Sequence, residues 1–220
     1  EKTIMLQLLG AMPPTTARIA IAWMSNWQYA NDVQLLNTVV ELHPRDLSLF
    51  AIDGGIYLQS APSPELLKLR GVSKKRSFKV NGTRIVKDLI PNNEGAYEIE
   101  LSLKNQQAEI IGFRLYNDKG EEVDMQYDMK EKKFSMDRRK SGEVNFNENF
   151  PMLTWTAIEG KDEMKLRLFV EDQSVEAFGD GGRFAMTNQV FPSEPYNHID
   201  FYSKGGAYKV DSFVVHKLKP

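Results

Sequence analysis

The chain contains no cysteine in its 220 residues. That absence excludes disulfide bridges, thiolate zinc sites and cysteine nucleophiles together, and leaves the compartment undecided. Neither sign of charge is in excess, because 28 Lys and Arg stand against 30 Asp and Glu, a net charge of −2. Such a balance argues against a nucleic-acid partner and against a polybasic membrane anchor. The apolar run "IMLQLLGAM", residues 4–12, is too short to span a bilayer and lacks the charged start of a secretion signal. No membrane insertion is expected. Histidine is scarce, and His43, His198 and His216 are scattered without metal-ligand spacing. Neither a metal nor a cofactor is therefore expected. There is no internal repeat and no low-complexity tract. A chain whose first residue is Glu1 is expected to have lost its original start.

What is present is an ordinary globular composition, 41% hydrophobic and 26% charged, long enough for one large domain or two small ones. The strongest pattern is alternation by two. In "YEIELSLK", Tyr97, Ile99, Leu101 and Leu103 share one face, and Glu98, Glu100, Ser102 and Lys104 the other. "KLRLFV" sets Leu166, Leu168 and Val170 against Lys165, Arg167 and Phe169. Further strands are expected at "SFKVN", "TRIVK", "AEIIGFRLYN", "SVEAF", "FAMTNQVF", "HIDFYS" and "DSFVVHKL", separated by turn signals such as Asn81-Gly82, Asp180 to Gly182 and Gly205-Gly206. From about Phe78 to the end this reads as an antiparallel β-sandwich or barrel. Earlier, "ARIAIAWM", "DLSLF" and "GIYLQS" are three strand candidates, too few to enclose a core alone. Between the two regions, "APSPELLKLRGVSKKR" reads as a linker with a short helical turn from Pro64 to Leu69 and a basic exit.

Chemistry is sparser. "AWMSNWQYAN" places Trp23, Asn26, Trp27 and Tyr29 close together, a combination able to stack on a sugar face and bond its hydroxyls. Packing of the two tryptophans in a core explains the same residues equally well. Glycoside hydrolysis needs paired carboxylates. Glu171-Asp172, Glu176 and Asp180 are near one another, but are expected to be solvated strand ends and turn residues. Arg45-Asp46 could clamp hydroxyls, and a structural ion pair is the commoner use. "GDGGR" opens no helix and reads as a hairpin rather than a phosphate loop. "VSKKRSFK" and "DMKEKKFSMDRRK" read as solvated faces. "NGT" at Asn81 matches a glycosylation sequon, and a hairpin turn accounts for it.

Taken in order, "AWMSNWQYAN", "HPRDLSL", "KKFSMDRRKSGEVNF" and "LRLFVEDQSVEAFGDGGRFAMTNQVFP" resemble the carboxy-terminal part of glycoside hydrolase family 32, the levanases, inulinases and invertases. The resemblance spans nearly the whole chain. It implies an all-β architecture in which residues 1–60 are the remnant of a last β-propeller blade, 61–76 a linker and 77–220 a β-sandwich. It also implies a retaining β-fructosidase parent acting by double displacement. The family's catalytic motifs, Asn-Asp-Pro-Asn-Gly, Arg-Asp-Pro and Glu-Cys, have no counterpart here, because Arg45-Asp46 is followed by Leu47 and there is no cysteine. No catalytic residue can therefore be assigned, and hydrolysis by this chain alone is not expected. Trp23, Asn26 and Trp27 match the segment bordering the family's fructose pocket. One departure is "NDVQLLNTVVELH", which replaces the family's proline and Arg-Ser segment. The resemblance points to a fructan or sucrose-type carbohydrate, to pairing with a propeller or another chain, and to a secreted or periplasmic location. Two other functions stay open: a lectin-like sandwich using Trp155 or Tyr202, and a structural or oligomerisation module.

Overall fold

A strand that alternates apolar and polar side chains needs a core on one face, and the computed structural model shows where those faces meet. It describes residues 18–24, 26–34, 41–90 and 94–219. The apolar run at 4–12, Ala17, Ser25 and residues 35–40 of the departing loop lie outside them. Among the described residues the first elements are β1 (Arg18–Ala20), a short helix α1 (Ala30–Gln34), β2 (Arg45–Ile52) and β3 (Gly55–Pro62). These three strands form one antiparallel sheet in the order β1-β2-β3. A 3-10 turn at Pro64–Leu69 follows, with proline at its start, where a missing N–H costs nothing.

Next come β4 (Arg70–Val80), β5 (Thr83–Val86), β6 (Tyr97–Asn105), β7 (Ile110–Tyr116), β8 (Glu122–Asp128) and β9 (Lys133–Lys140). The remainder is β10 (Leu153–Ala157), β11 (Glu163–Glu171), β12 (Ser174–Gly179), β13 (Phe184–Gln189), β14 (His198–Lys204) and β15 (Tyr208–Leu218). They make two six-stranded antiparallel sheets, β10-β9-β8-β7-β14-β5 and β13-β12-β11-β6-β15-β4. Ile99, Leu101, Leu166 and Leu168 of one sheet face Ile111, Phe113, Met125 and Phe201 of the other across the main core. The fold is an antiparallel β-sandwich, as the alternation predicts.

Three local expectations are corrected. "KKFSMDRRK" is not a solvated face: it forms β9, and Phe134, Met136 and Arg138 alternate inward. Asn81-Gly82 does turn the chain, with Gly82 at φ 85, but it joins strands of different sheets instead of closing a hairpin. On the polar face of "YEIELSLK", Glu98 is fully buried while Lys104 at the far end is exposed.

The reason lies in how the first segment docks. β12 is buried at every position: Val175 and Ala177 point into the main core, while Phe178 points outward into a second cluster with Leu66, Phe169 and Leu218. "GDGGR" does form the expected hairpin between β12 and β13, and its tip touches β3. Ser60 donates its N–H to the Gly182 carbonyl at 2.8 Å. Gly182 has φ +93, and a Cβ there would lie 2.4 Å from the Ser60 carbonyl oxygen. Gly182→Ala should therefore destabilise the chain by about 1–3 kcal/mol, read from urea unfolding midpoints. Gly54→Ala, at φ +78 with open space around it, is the control, and an equal effect at both positions would refute the docking argument.

Candidate functional site

Along the first strand and its continuation, side chains alternate inward and outward. Ala20, Ala22 and Met24 are buried, while Ile19 and Trp23 are exposed. Trp23 bridges to Glu41, and Leu42 donates its N–H to the Ala22 carbonyl at 2.9 Å, so residues 41–43 hold this wall in place. Trp27 follows in a turn and is 75% exposed. Its ring meets that of Trp23 edge-on, with centroids 6.4 Å apart and planes at 89°. Asn26 shapes the turn. Its Oδ1 accepts the Gln28 N–H at 3.0 Å and its main-chain carbonyl accepts the Tyr29 N–H at 3.1 Å. The side-chain nitrogen of Asn26 has no hydrogen-bond partner among the described residues. The structure thus brings Trp23, Asn26 and Trp27 together at one exposed surface, and turns Tyr29 away from it.

Tyr29 is instead an anchor. It packs with Val33, Val144 and Phe150, and its hydroxyl accepts from Arg138 at 2.8 Å. Arg138 is 3% exposed and also donates to the carbonyls of Phe150 and Gln189. Its guanidinium lies 4.1 Å from the Phe150 ring centroid. Nothing in a run of basic residues marks Arg138 as buried except its place two residues beyond Met136, in phase with Phe134.

A second anchor holds residues 41–45 to the sandwich. Glu176, expected to be solvated, is fully buried. Its Oε1 accepts the His43 N–H at 2.9 Å and His43 Nδ1 at 2.6 Å. Its Oε2 accepts from Arg45, and from Thr187 at 3.1 Å. His43 Nε2 lies 3.3 Å from Glu171, and the His43 ring packs on Phe169. Arg45 donates to Thr187 at 2.7 Å and sits over the Phe178 ring. Arg45 and Asp46 do not pair with each other, because Asp46 accepts from Ser63. Asp180 accepts the Lys165 N–H at 2.9 Å and serves the hairpin. A third group, Glu98, takes Arg70 in a two-pronged grip at 2.7 Å and Arg167 at 2.6 Å.

These charges fix a pH dependence. Burial opposes a charge on His43, but hydrogen bonds and attraction to Glu171 and Glu176 prevail and raise its pKa from 6.5 to about 9. Burial likewise opposes a charge on Glu176, and His43 and Arg45 together hold its pKa below 4.5. A raised histidine stabilises the fold fully below 6.5, and that contribution is lost as pH rises through about 9. A lowered carboxylate stabilises above 4.5, and that contribution is lost as pH falls through the folded pKa. Thermal melts should therefore show a plateau near pH 5 to 6.5 with a decline on the alkaline side. In His43→Gln the decline between 6.5 and 9 should flatten; an unchanged slope would remove His43 as its source.

Glu171 and Glu176 thus both hold His43, and Asp180 serves the hairpin, so these carboxylates are committed to structural contacts. Asp172 lies over Gly95, with its pKa raised by burial and the neighbouring Glu171.

Comparison with known proteins agrees with this arrangement. Residues 65–217 match the family "Glycosyl hydrolases family 32 C terminal". A levanase of Bacillus subtilis (strain 168) is 33% identical over 217 residues, covering 94% of this chain and 32% of that protein. An extracellular exo-inulinase of Aspergillus awamori is 26% identical over 195 residues, covering 86% of this chain and 36% of its own length. The crystal structure of an exo-inulinase from A. awamori superposes with a TM-score of 0.75 at 25% identity, over 92% of this chain and 40% of that one. The chain therefore spans about a third of the length of these relatives. On the match to its sandwich and the shared fold, the chain belongs to glycosyl hydrolases family 32, as its carboxy-terminal part.

Proposed function

We propose that this chain is the carboxy-terminal part of an enzyme that cleaves fructans or sucrose, and that its task is to hold one wall of the sugar pocket. In this reading residues 1–60 are the last blade of a propeller, 61–76 the linker and 77–220 the sandwich, the linker's residues 70–76 already running into the sandwich as the start of β4. Trp23 and Trp27 stack on a fructosyl unit, and the Asn26 amide bonds one of its hydroxyls. One observation carries the reading. The β2–β3 hairpin is fastened to the sandwich on one flank, yet Leu49, Ile56 and Leu58 stand 70%, 74% and 56% exposed on the other. Leu49 lies directly opposite Leu58, and Ile56 opposite Ala51, so these side chains form a continuous apolar face. Such a face is what a neighbouring blade covers.

The chain by itself should not hydrolyse. Fructose release from sucrose, inulin or levan should stay at the buffer blank, because nucleophile and acid are separate necessary roles and neither has a residue here. Turnover clearly above that blank, with contaminating enzyme excluded, would overturn the reading.

The lectin-like alternative draws support from Trp155, which is 57% exposed. Two contacts weigh against it. Lys133 Nζ sits 4.6 Å from the Trp155 ring centroid, in the place a sugar would take. The Tyr202 ring lies across Gly112, and its hydroxyl is held by Asp124 at 2.8 Å. Neither ring presents an open platform.

A further inference from the structure

Charge is unevenly distributed along this chain. From Leu66 to Lys87 there are eight cationic residues and no acid, although the whole chain is net −2. Arg70 is engaged by Glu98 and Glu100. Lys74, Lys75, Arg76, Lys79, Arg84 and Lys87 are all exposed and have no acidic partner among the described residues. The Arg84 guanidinium rests on the Phe78 ring, 4.7 Å from its centroid.

The fold gathers these cations on one side. β4 is the last strand of one sheet and β5 the last strand of the other. Lys74 and Arg76 line a shallow cleft between those edges together with Val86, Leu89 and Phe213. Lys75 and Lys79 alternate to the opposite side of β4. Lys79 stands across from Lys209, and Lys209 across from Lys104. Lys209 and Lys104 are paired with Asp211 and Glu163, which leaves Lys75 and Lys79 as the uncompensated cations of this side among the described residues.

Lysines on edge strands often guard against edge-to-edge pairing. That device does not account for this strip. The edge strands on the other side of the sandwich, β10 and β13, contain no charged residue at all. β10 even exposes Leu153 and Trp155.

We propose that the β4–β5 edge is a docking strip for a linear acidic polysaccharide. The strip is long and narrow, since the 11 residues of β4 extend over roughly 35 Å. Its cations stand on both sides of the strand. A flat lipid surface meets only one of those sides, whereas a polymer chain lying along the edge lies between them. Single-stranded nucleic acid is bound by aromatic stacking as well as by charge, and the exposed tryptophans Trp23, Trp27 and Trp155 all lie on other elements. What remains is an anionic polymer held by charge along the strip.

The test uses the 220-residue chain and polygalacturonate, with binding followed by calorimetry across a salt series. Wild type should bind at about 50 mM salt and weaken steeply as salt rises, because neutralising the polymer releases its counterions. Replacing Lys75, Lys79 and Lys87 together by glutamine should weaken binding at least tenfold and reduce the slope of log K against log salt by roughly 2. The melting temperature should be unchanged. Replacing Lys119, Lys130 and Lys204 by glutamine removes the same charge elsewhere and should leave binding intact. The proposal fails if wild type does not bind at low salt, or if the two triple variants bind alike. It also fails if neutral levan binds as tightly as polygalacturonate. Tighter binding to phosphatidylglycerol vesicles or to single-stranded DNA would overturn it in favour of those partners.

Discussion

Glu176→Ala should lower the unfolding free energy by about 3–5 kcal/mol, the usual cost of removing one partner from a buried ionic group. The carboxylate is fully buried and receives His43, Arg45 and Thr187. Without it the Arg45 guanidinium remains beside the Phe178 ring with only Thr187 as a partner, and His43 keeps only Glu171. Glu176→Gln preserves the shape and the capacity to accept, so it should cost less, about 1–3 kcal/mol. The two variants separate charge from packing. Urea unfolding measures the loss, and limited trypsinolysis locates it. Cleavage should begin at Arg45, which the wild type protects. A Glu176→Ala midpoint within error of wild type would show that the clamp contributes nothing.

Arg138→Ala should be nearly as damaging, at about 3 kcal/mol or more. The substitution leaves the buried carbonyls of Phe150 and Gln189 without their donor and removes a cation packed against two rings. It also frees the Tyr29 hydroxyl, whose partner it is. The expected signature differs from that of Glu176. Residues 26–34 should loosen while the His43 clamp stays shut, so the fluorescence of Trp27 should shift without new cleavage at Arg45. Loss of both regions together would mean that the anchors are one cooperative unit. Strict additivity in the double variant would mean that they are independent.

Much of the sandwich was legible because its strands obey the period of two. β6 and β11 bury Ile99, Leu101, Leu166 and Leu168 as their sequences predict. β8 is as legible as β6, since Val123, Met125 and Tyr127 alternate with Glu122, Asp124 and Gln126, whereas the five residues of β10 are too short a run to stand out. β9 was obscured by its basic tail. The polar clamps were less legible still. Outward-facing Glu98 and Glu176 look like solvent-facing strand residues until the first segment is laid over the sheet, and their partners lie far away in sequence. Phe169 and Phe178, apolar residues on the outward faces of β11 and β12, were the visible signal that this sheet has a second covered side. Trp23, Asn26 and Trp27 lie close enough in sequence to suggest a shared surface, and the fold gathers them on one. What set their positions, the bridge to Glu41 and the His43 contact, could not be read from local spacing.

The two anchors also impose an order of events during synthesis. His43 precedes its partner Glu176 by 133 residues, and Tyr29 precedes Arg138 by 109. At the usual pace of translation the first strands wait on the order of 10 s before the sheet that fastens them has been made. Until then β2 and β3 carry exposed leucines and an open edge, the surface most open to mispairing. The sandwich half of each anchor is made last, so it acts as a lock closed over strands already present.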